Sequence, residues 1–129
     1  MSYFSQAKGE FQDVEDVVVL DTVTYTTAGA KNGTPIEVGE RTVACLELVC
    51  TALTASDTLD AKIQTSKDGS GSGLGAWRDV ASFTQITATS GSERKSFAGL
   101  DRYIRAVVTP TDAGGGGISA TLSIKGELK

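Results

Sequence analysis

The chain has 129 residues, 12 basic and 16 acidic, for a formal charge of −4. That length is one domain's worth of chain. That charge, with no Lys or Arg run longer than Arg94-Lys95, leaves no electrostatic footprint for a nucleic-acid backbone. Leu, Ile, Val and Phe supply 30 residues, enough to escape the disordered class but not enough for a thick core. With 16 Thr, 15 Gly, 12 Ser and 11 Val, the composition favours strands and turns over a helical bundle. Histidine is absent, which removes the commonest general base, the commonest zinc ligand and the one side chain that titrates unperturbed near neutrality.

Residues 1–13 are aperiodic and read as an N-terminal arm. They hold Tyr3, Phe4 and Phe11, three of the chain's eight aromatics. Exposed aromatics are costly unless covered, so the arm is either a frayed end or a segment ordered by a neighbouring subunit. It lacks the basic and apolar regions of a signal peptide, so synthesis in a cytoplasm is expected. Residues 14–129 read as a single β domain. From Val14 a β-branched run, VEDVVVLDTVTYTT, predicts a strand. Its longest apolar stretch, Val17 to Leu20, is far below the roughly 20 residues needed to span a bilayer.

Asn32-Gly33 is the chain's one Asn-Gly pair and predicts a type I′ hairpin turn, and Pro35 after it predicts an edge or loop position. Thr42 to Leu53 is the most apolar run. Leu46, Leu48 and Cys50 share one face. Val43, Cys45 and Val49 make the other nearly as apolar, interrupted by Glu47, which suits a central strand or one whose outer face meets another subunit. Cys45 and Cys50 would lie about 16 Å apart on opposite faces of a strand, too far to pair, so buried free thiols are expected.

Leu59 to Thr65 alternates cleanly, with Leu59, Ala61 and Ile63 facing inward. Residues 69–75 form a glycine loop. Short strands follow at Trp77 to Val80 and at Phe83 to Thr89. Arg102 to Thr109 alternates again and Pro110 is expected to end it. A second glycine loop, 114–117, leads to a last strand at Ile118 to Leu128. Short strands separated by turns predict an all-β fold, an antiparallel two-sheet β-sandwich of jelly-roll or Ig-like type, with a closed barrel as the main alternative.

Candidate chemistry is thin. Gly71, Gly73 and Ala76 fit G-x-G-x-x-A, but a strand follows where a dinucleotide fold needs a helix N-terminus. Asp13, Glu15, Asp16 and Asp21 cluster. In a regular strand Asp16 faces away from the other three, so a solvated edge fits better than paired carboxylates or a calcium loop. Without histidine no Ser-His-Asp or Cys-His arrangement can form, and no motif supports another nucleophile, so no enzymatic activity, metal or cofactor is expected. Trp77, Phe83 and Tyr103 could build a carbohydrate platform. The simpler reading makes Trp77 and Phe83 core anchors and puts Tyr103 in a tyrosine-corner role.

A pattern runs through residues 59–128. Leu59-Asp60-Ala61-Lys62-Ile63-Gln64-Thr65-Ser66-Lys67-Asp68-Gly69 is followed by Trp77-Arg78-Asp79-Val80 and Phe83-Thr84-Gln85-Ile86. Arg94-Lys95-Ser96-Phe97, Leu100-Asp101-Arg102-Tyr103-Ile104-Arg105-Ala106 and a final Ser-Ile-Lys-Gly-Glu-Leu strand complete it. This resembles small β-sandwich virion structural proteins of tailed bacteriophages, and related hairpins occur in galactose-binding-like modules. The resemblance implies a capsid decoration (cement) protein on the outer head surface, bound to the major capsid protein, as a trimer or dimer. It implies no direct contact with nucleic acid or membrane. Tyr3, Phe4 and Phe11 would then add contacts on the shell, and Val43, Cys45 and Val49 would form a subunit interface. A head–tail connector or tail component and a carbohydrate-binding module are the alternatives.

Overall fold

The computed structural model describes residues 14–129. Tyr3, Phe4 and Phe11 of the arm, with Asp13, lie outside the described residues. Nine strands follow one another: β1 (Glu15–Tyr25), β2 (Lys31–Asn32), β3 (Ile36–Glu37), β4 (Val43–Leu53), β5 (Thr58–Ser66), β6 (Arg78–Ser82), β7 (Gly91–Ala98), β8 (Tyr103–Thr111) and β9 (Ala120–Leu128). The regular helical structure among the described residues is one 3-10 turn, Gly73–Gly75. All the strand pairings are antiparallel. The β-branched and alternating composition therefore resolves into an all-β fold, as the sequence predicts.

One sheet has the order β1-β9-β4-β7, and the other β2-β8-β5-β6 with β3 also on β8. The strands β2 and β3 lie end to end along one edge of β8: Lys31 pairs with Val108 and Ile36 with Ile104. Counted as one interrupted strand, they give eight strands in two four-stranded sheets, and consecutive strands switch sheets at every step but β5 to β6. That is the jelly-roll arrangement, which decides between the two sandwich types expected.

The alternation that predicts the strands also builds the core. Leu46, Leu48, Leu122 and Ile124 of the first sheet are buried, as are Leu59, Ile63, Ile104 and Val108 of the second. Each such side chain taken from water stabilises the fold by about 1.5–3 kcal/mol. Phe83 joins this core from the loop after β6.

Four local expectations are corrected. First, Asn32-Gly33 makes no type I′ turn. Both residues lack the positive φ the turn demands, and Asn32 is in a strand. Gly33 instead donates its N–H to the Ala106 carbonyl, and a Cβ there would stand 3.1 Å from that oxygen. Glycine is used for close approach between edge strand and β8, not for a left-handed bend. Second, Phe83 to Thr89 is a loop with one bridge, Leu59 to Ile86. The strand lies later, at β7, where Glu93-Arg94-Lys95 places charge on both faces and masks the alternation. Charged side chains are a usual defence of an edge strand. Third, β8 continues through Pro110 to Thr111. Fourth, Trp77 is half-exposed and outside the core, while Phe83 is buried as expected.

Candidate functional site

Among the described residues, two broad surfaces face away from the core: the outer faces of the two sheets. On the first sheet the period-two geometry of β4 turns Ala44, Leu46, Leu48 and Cys50 inward and Val43, Cys45, Glu47 and Val49 outward. The structure thus brings Val43, Cys45 and Val49 together on one outer face, each half-buried between its neighbours. The two thiols are free and on opposite faces. Cys50 is buried as expected, and burial pushes its thiol above the ordinary value. Cys45 is only half-buried, a departure from the expected pair of buried thiols.

Cross-strand pairing sets the neighbours of that apolar stripe. Cys45 stands between Glu127 of β9 and Ser96 of β7, and Glu47 stands between Lys125 and Arg94. On β1, Asp16 is opposite Glu127 and Val18 is opposite Lys125. Val18 is 49% exposed, a large value for an aliphatic side chain. A depression of about 330 Å³ opens here, lined by Asp16, Cys45, Glu47, Arg94, Lys125 and Glu127 among others. Two register shifts in β1 bring Asp21 to Lys125, 3.7 Å away, on the face that also carries Asp16. A regular strand would have placed Asp16 and Asp21 on opposite faces, as the sequence reading has them. Glu15 instead meets Arg41 at 3.7 Å. The acidic run is a solvated edge strand and not a set of converging carboxylates.

The outer face of the second sheet carries a polar ladder. Lys62 and Gln64 of β5 both donate to the Asp79 carboxylate of β6, at 3.2 and 2.9 Å. The Gln64 amide and then Lys62 hold that carboxyl below the ordinary aspartate value. Arg105 of β8 donates to the Gln64 side-chain oxygen at 2.9 Å, and its guanidinium lies 4.4 Å from the centre of the Trp77 ring. Trp77 is thus a half-exposed surface aromatic with a cation stacked on one of its faces. Tyr103 lies under the glycine loop, where a Cβ on Gly69 would be 3.3 Å from its ring.

That loop is no phosphate cradle. Its backbone N–H groups are used within the chain: Gly69 donates to the Ser66 hydroxyl, Ser70 to Asp68, Gly71 to the Gly75 carbonyl and Ser72 to the Ser70 hydroxyl. The Ser70 contacts also hold the Asp68 carboxyl below its ordinary value, so the loop presents negative charge to an incoming anion. Among the described residues no group of three or more Cys, Asp or Glu side chains is arranged to hold a metal, and no helix is long and apolar enough to cross a membrane.

The parity of β4 and β9 makes the outward set of each strand readable from sequence. The charged rows beside Cys45 were missed because they depend on which strands are neighbours, and β7 was not recognised at all. The ladder on the second sheet was missed for the same reason: Gln64, Asp79 and Arg105 are joined only by strand pairing.

No protein-family model matches the sequence, and no curated protein does. Among solved structures the chain is similar to one from infectious bursal disease virus, Gt strain, with a TM-score of 0.54 and 15% identity over 89% of this chain and 32% of that one. The Gx strain of the same virus gives a TM-score of 0.52 and 15% identity over 87% of this chain and 31% of that one. A carbohydrate-binding module of the Cellvibrio mixtus lichenase 5A, solved with cellotriose, gives a TM-score of 0.41 and 12% identity over 88% of this chain and 86% of that one. The chain spans about a third of the length of the viral chains it matches. At these identities, the viral chains share its fold: a two-sheet antiparallel sandwich.

Proposed function

We propose that this chain is a non-catalytic structural component of a virus particle, of the decoration (cement) kind found on tailed-phage heads. In this reading it binds the major capsid protein on the outer head surface, with residues 1–13 adding contacts through Tyr3, Phe4 and Phe11. Copies of the chain meet through the outer face that carries Val43, Cys45 and Val49. The observation that carries the reading is the jelly-roll strand order, a fold recurrent in viral shells, together with a likeness to virus-particle chains over 87–89% of its length. The hairpin pattern of residues 59–86 and the Arg102-Tyr103-Ile104-Arg105 strand support the tailed-phage version.

The test is direct. Mass spectrometry of purified virions should find the chain, and cryo-electron microscopy should find it on the head exterior. Deletion of residues 1–13 should weaken binding to empty shells while the circular dichroism of the sandwich is kept. Rings of six or twelve copies at the neck would replace decoration with a connector role. Absence from the particle, with specific hits on a glycan array, would replace both with sugar binding.

A further inference from the structure

The outer face of the first sheet has charges in an order that fits a second copy of itself. Strand pairing lays out two successive rows across it. One row reads Asp16, Glu127, Cys45, Ser96; the next reads Val18, Lys125, Glu47, Arg94. In the first row two carboxylates stand directly opposite each other on neighbouring strands, an arrangement that repels. Neither Asp16 nor Glu127 has an ion pair among the described residues.

Now let a second copy face the first, turned about a two-fold axis that lies between the sheets and crosses the strands midway between the two rows. Each row then lies over the other row of the second copy. Glu127 meets Lys125 of the second copy and Lys125 meets its Glu127. Cys45 lies over Glu47, and the exposed Val18 covers the methylene of Asp16. The acid pair that repels within one chain gains one cation from the second copy, so the dimer holds two such contacts, and the apolar stripe is covered. An isologous contact requires this self-complementarity. Four strands about 4.8 Å apart, each overlapping for about nine residues, cover on the order of 600 Å² per copy, near the low end for a specific interface.

We propose that this face is a two-fold homodimer contact in which Glu127 and Lys125 pair reciprocally across the axis. The proposal rests on the reading of this face as a subunit contact and is independent of which particle the chain belongs to.

The experiment uses the purified full-length chain without shells. Sedimentation from the micromolar to the hundred-micromolar range should show the 13.4 kDa chain doubling in mass. Lys125→Glu and Glu127→Lys should each weaken the dimer at least tenfold, with folding checked by circular dichroism. The double variant, which exchanges the two charges, should restore it. Alkylation of Cys45 should slow as wild-type dimers form and should not slow in Lys125→Glu. A monomer at every concentration overturns the proposal, as do single variants that dimerise like wild type or a double variant that fails to recover. A dimer in which Cys45 reacts as fast as in the monomer also overturns it, since the contact then lies elsewhere. A monomer that still binds shells would end this inference alone; a dimer absent from virions would end only the virion reading.

Discussion

Gly126 is the residue where packing leaves least room. It lies mid-strand in β9, paired with Val17 on one side and Leu46 on the other. A Cβ there would fall 2.0 Å from the Cys45 carbonyl oxygen and 2.8 Å from the Leu46 Cα, both backbone atoms that cannot swing aside. Glycine in a strand interior weakens it, so its use here marks a close backbone approach. Gly126→Ala should destabilise the fold by about 1–3 kcal/mol, read as a lower urea midpoint with an unchanged slope. A midpoint equal to wild type would mean that β9 can shift freely against β4. The sequence gives no hint of this requirement, because the crowding comes from a strand some 80 residues away in the chain. Gly33 is the converse case: it is visible in the sequence, but its neighbour Asn32 suggests the wrong reason for it.

At the scale of elements, legibility follows burial. The strands β5 and β8 alternate because one face is dry, so Leu59, Ala61 and Ile63 could be set inward from sequence. In β7 neither face is fully buried, and the pattern disappears into Ser, Glu, Arg and Lys. The pair β5 and β6 carries a testable rung. Its Asp79 carboxyl sits below the ordinary value, held by Gln64 and Lys62. A lowered folded-state value means stability that is present above the unfolded aspartate range, near about 3.9, and is lost as pH falls through the folded value. Asp79→Asn should therefore cost no more than about 1 kcal/mol at pH 6, since the group is exposed, and the gap to wild type should narrow as pH falls below the unfolded aspartate range. Urea midpoints across this range check it; a gap that stays constant with pH would rule out the carboxylate as its source.

At the scale of the molecule, two of the crossings that join the sheets at one end are the turn from β4 to β5 and the loop from β8 to β9. Asp57 ties them together. It is 1% exposed and its Oδ1 accepts the Gly114 N–H at 3.0 Å, while Oδ2 has no hydrogen-bond partner among the described residues. Asp57→Ala should cost about 0.5–1.5 kcal/mol, because it removes that hydrogen bond from an exposed Gly114. Asp57→Asn keeps an acceptor and should cost less; thermal unfolding of the two variants separates them. Equal losses would show that the carboxyl's other oxygen matters as much as the tie. The sandwich was legible in the sequence because strands and turns are local signals. The order of the strands, and with it the charged rows beside Cys45, was not, because every neighbour relation here except β5 with β6 joins strands far apart in the chain.

The position of β9 has a consequence for biosynthesis. It lies between β1 and β4, so the first sheet lacks its middle until the chain has been made through Leu128. Until then β1 has no hydrogen-bonded neighbour and one side of β4 is open, and unpaired edges invite association between nascent chains. Folding of this sheet must therefore wait until β9 has emerged from the ribosome, and loss of β9 alone would leave the rest unable to close.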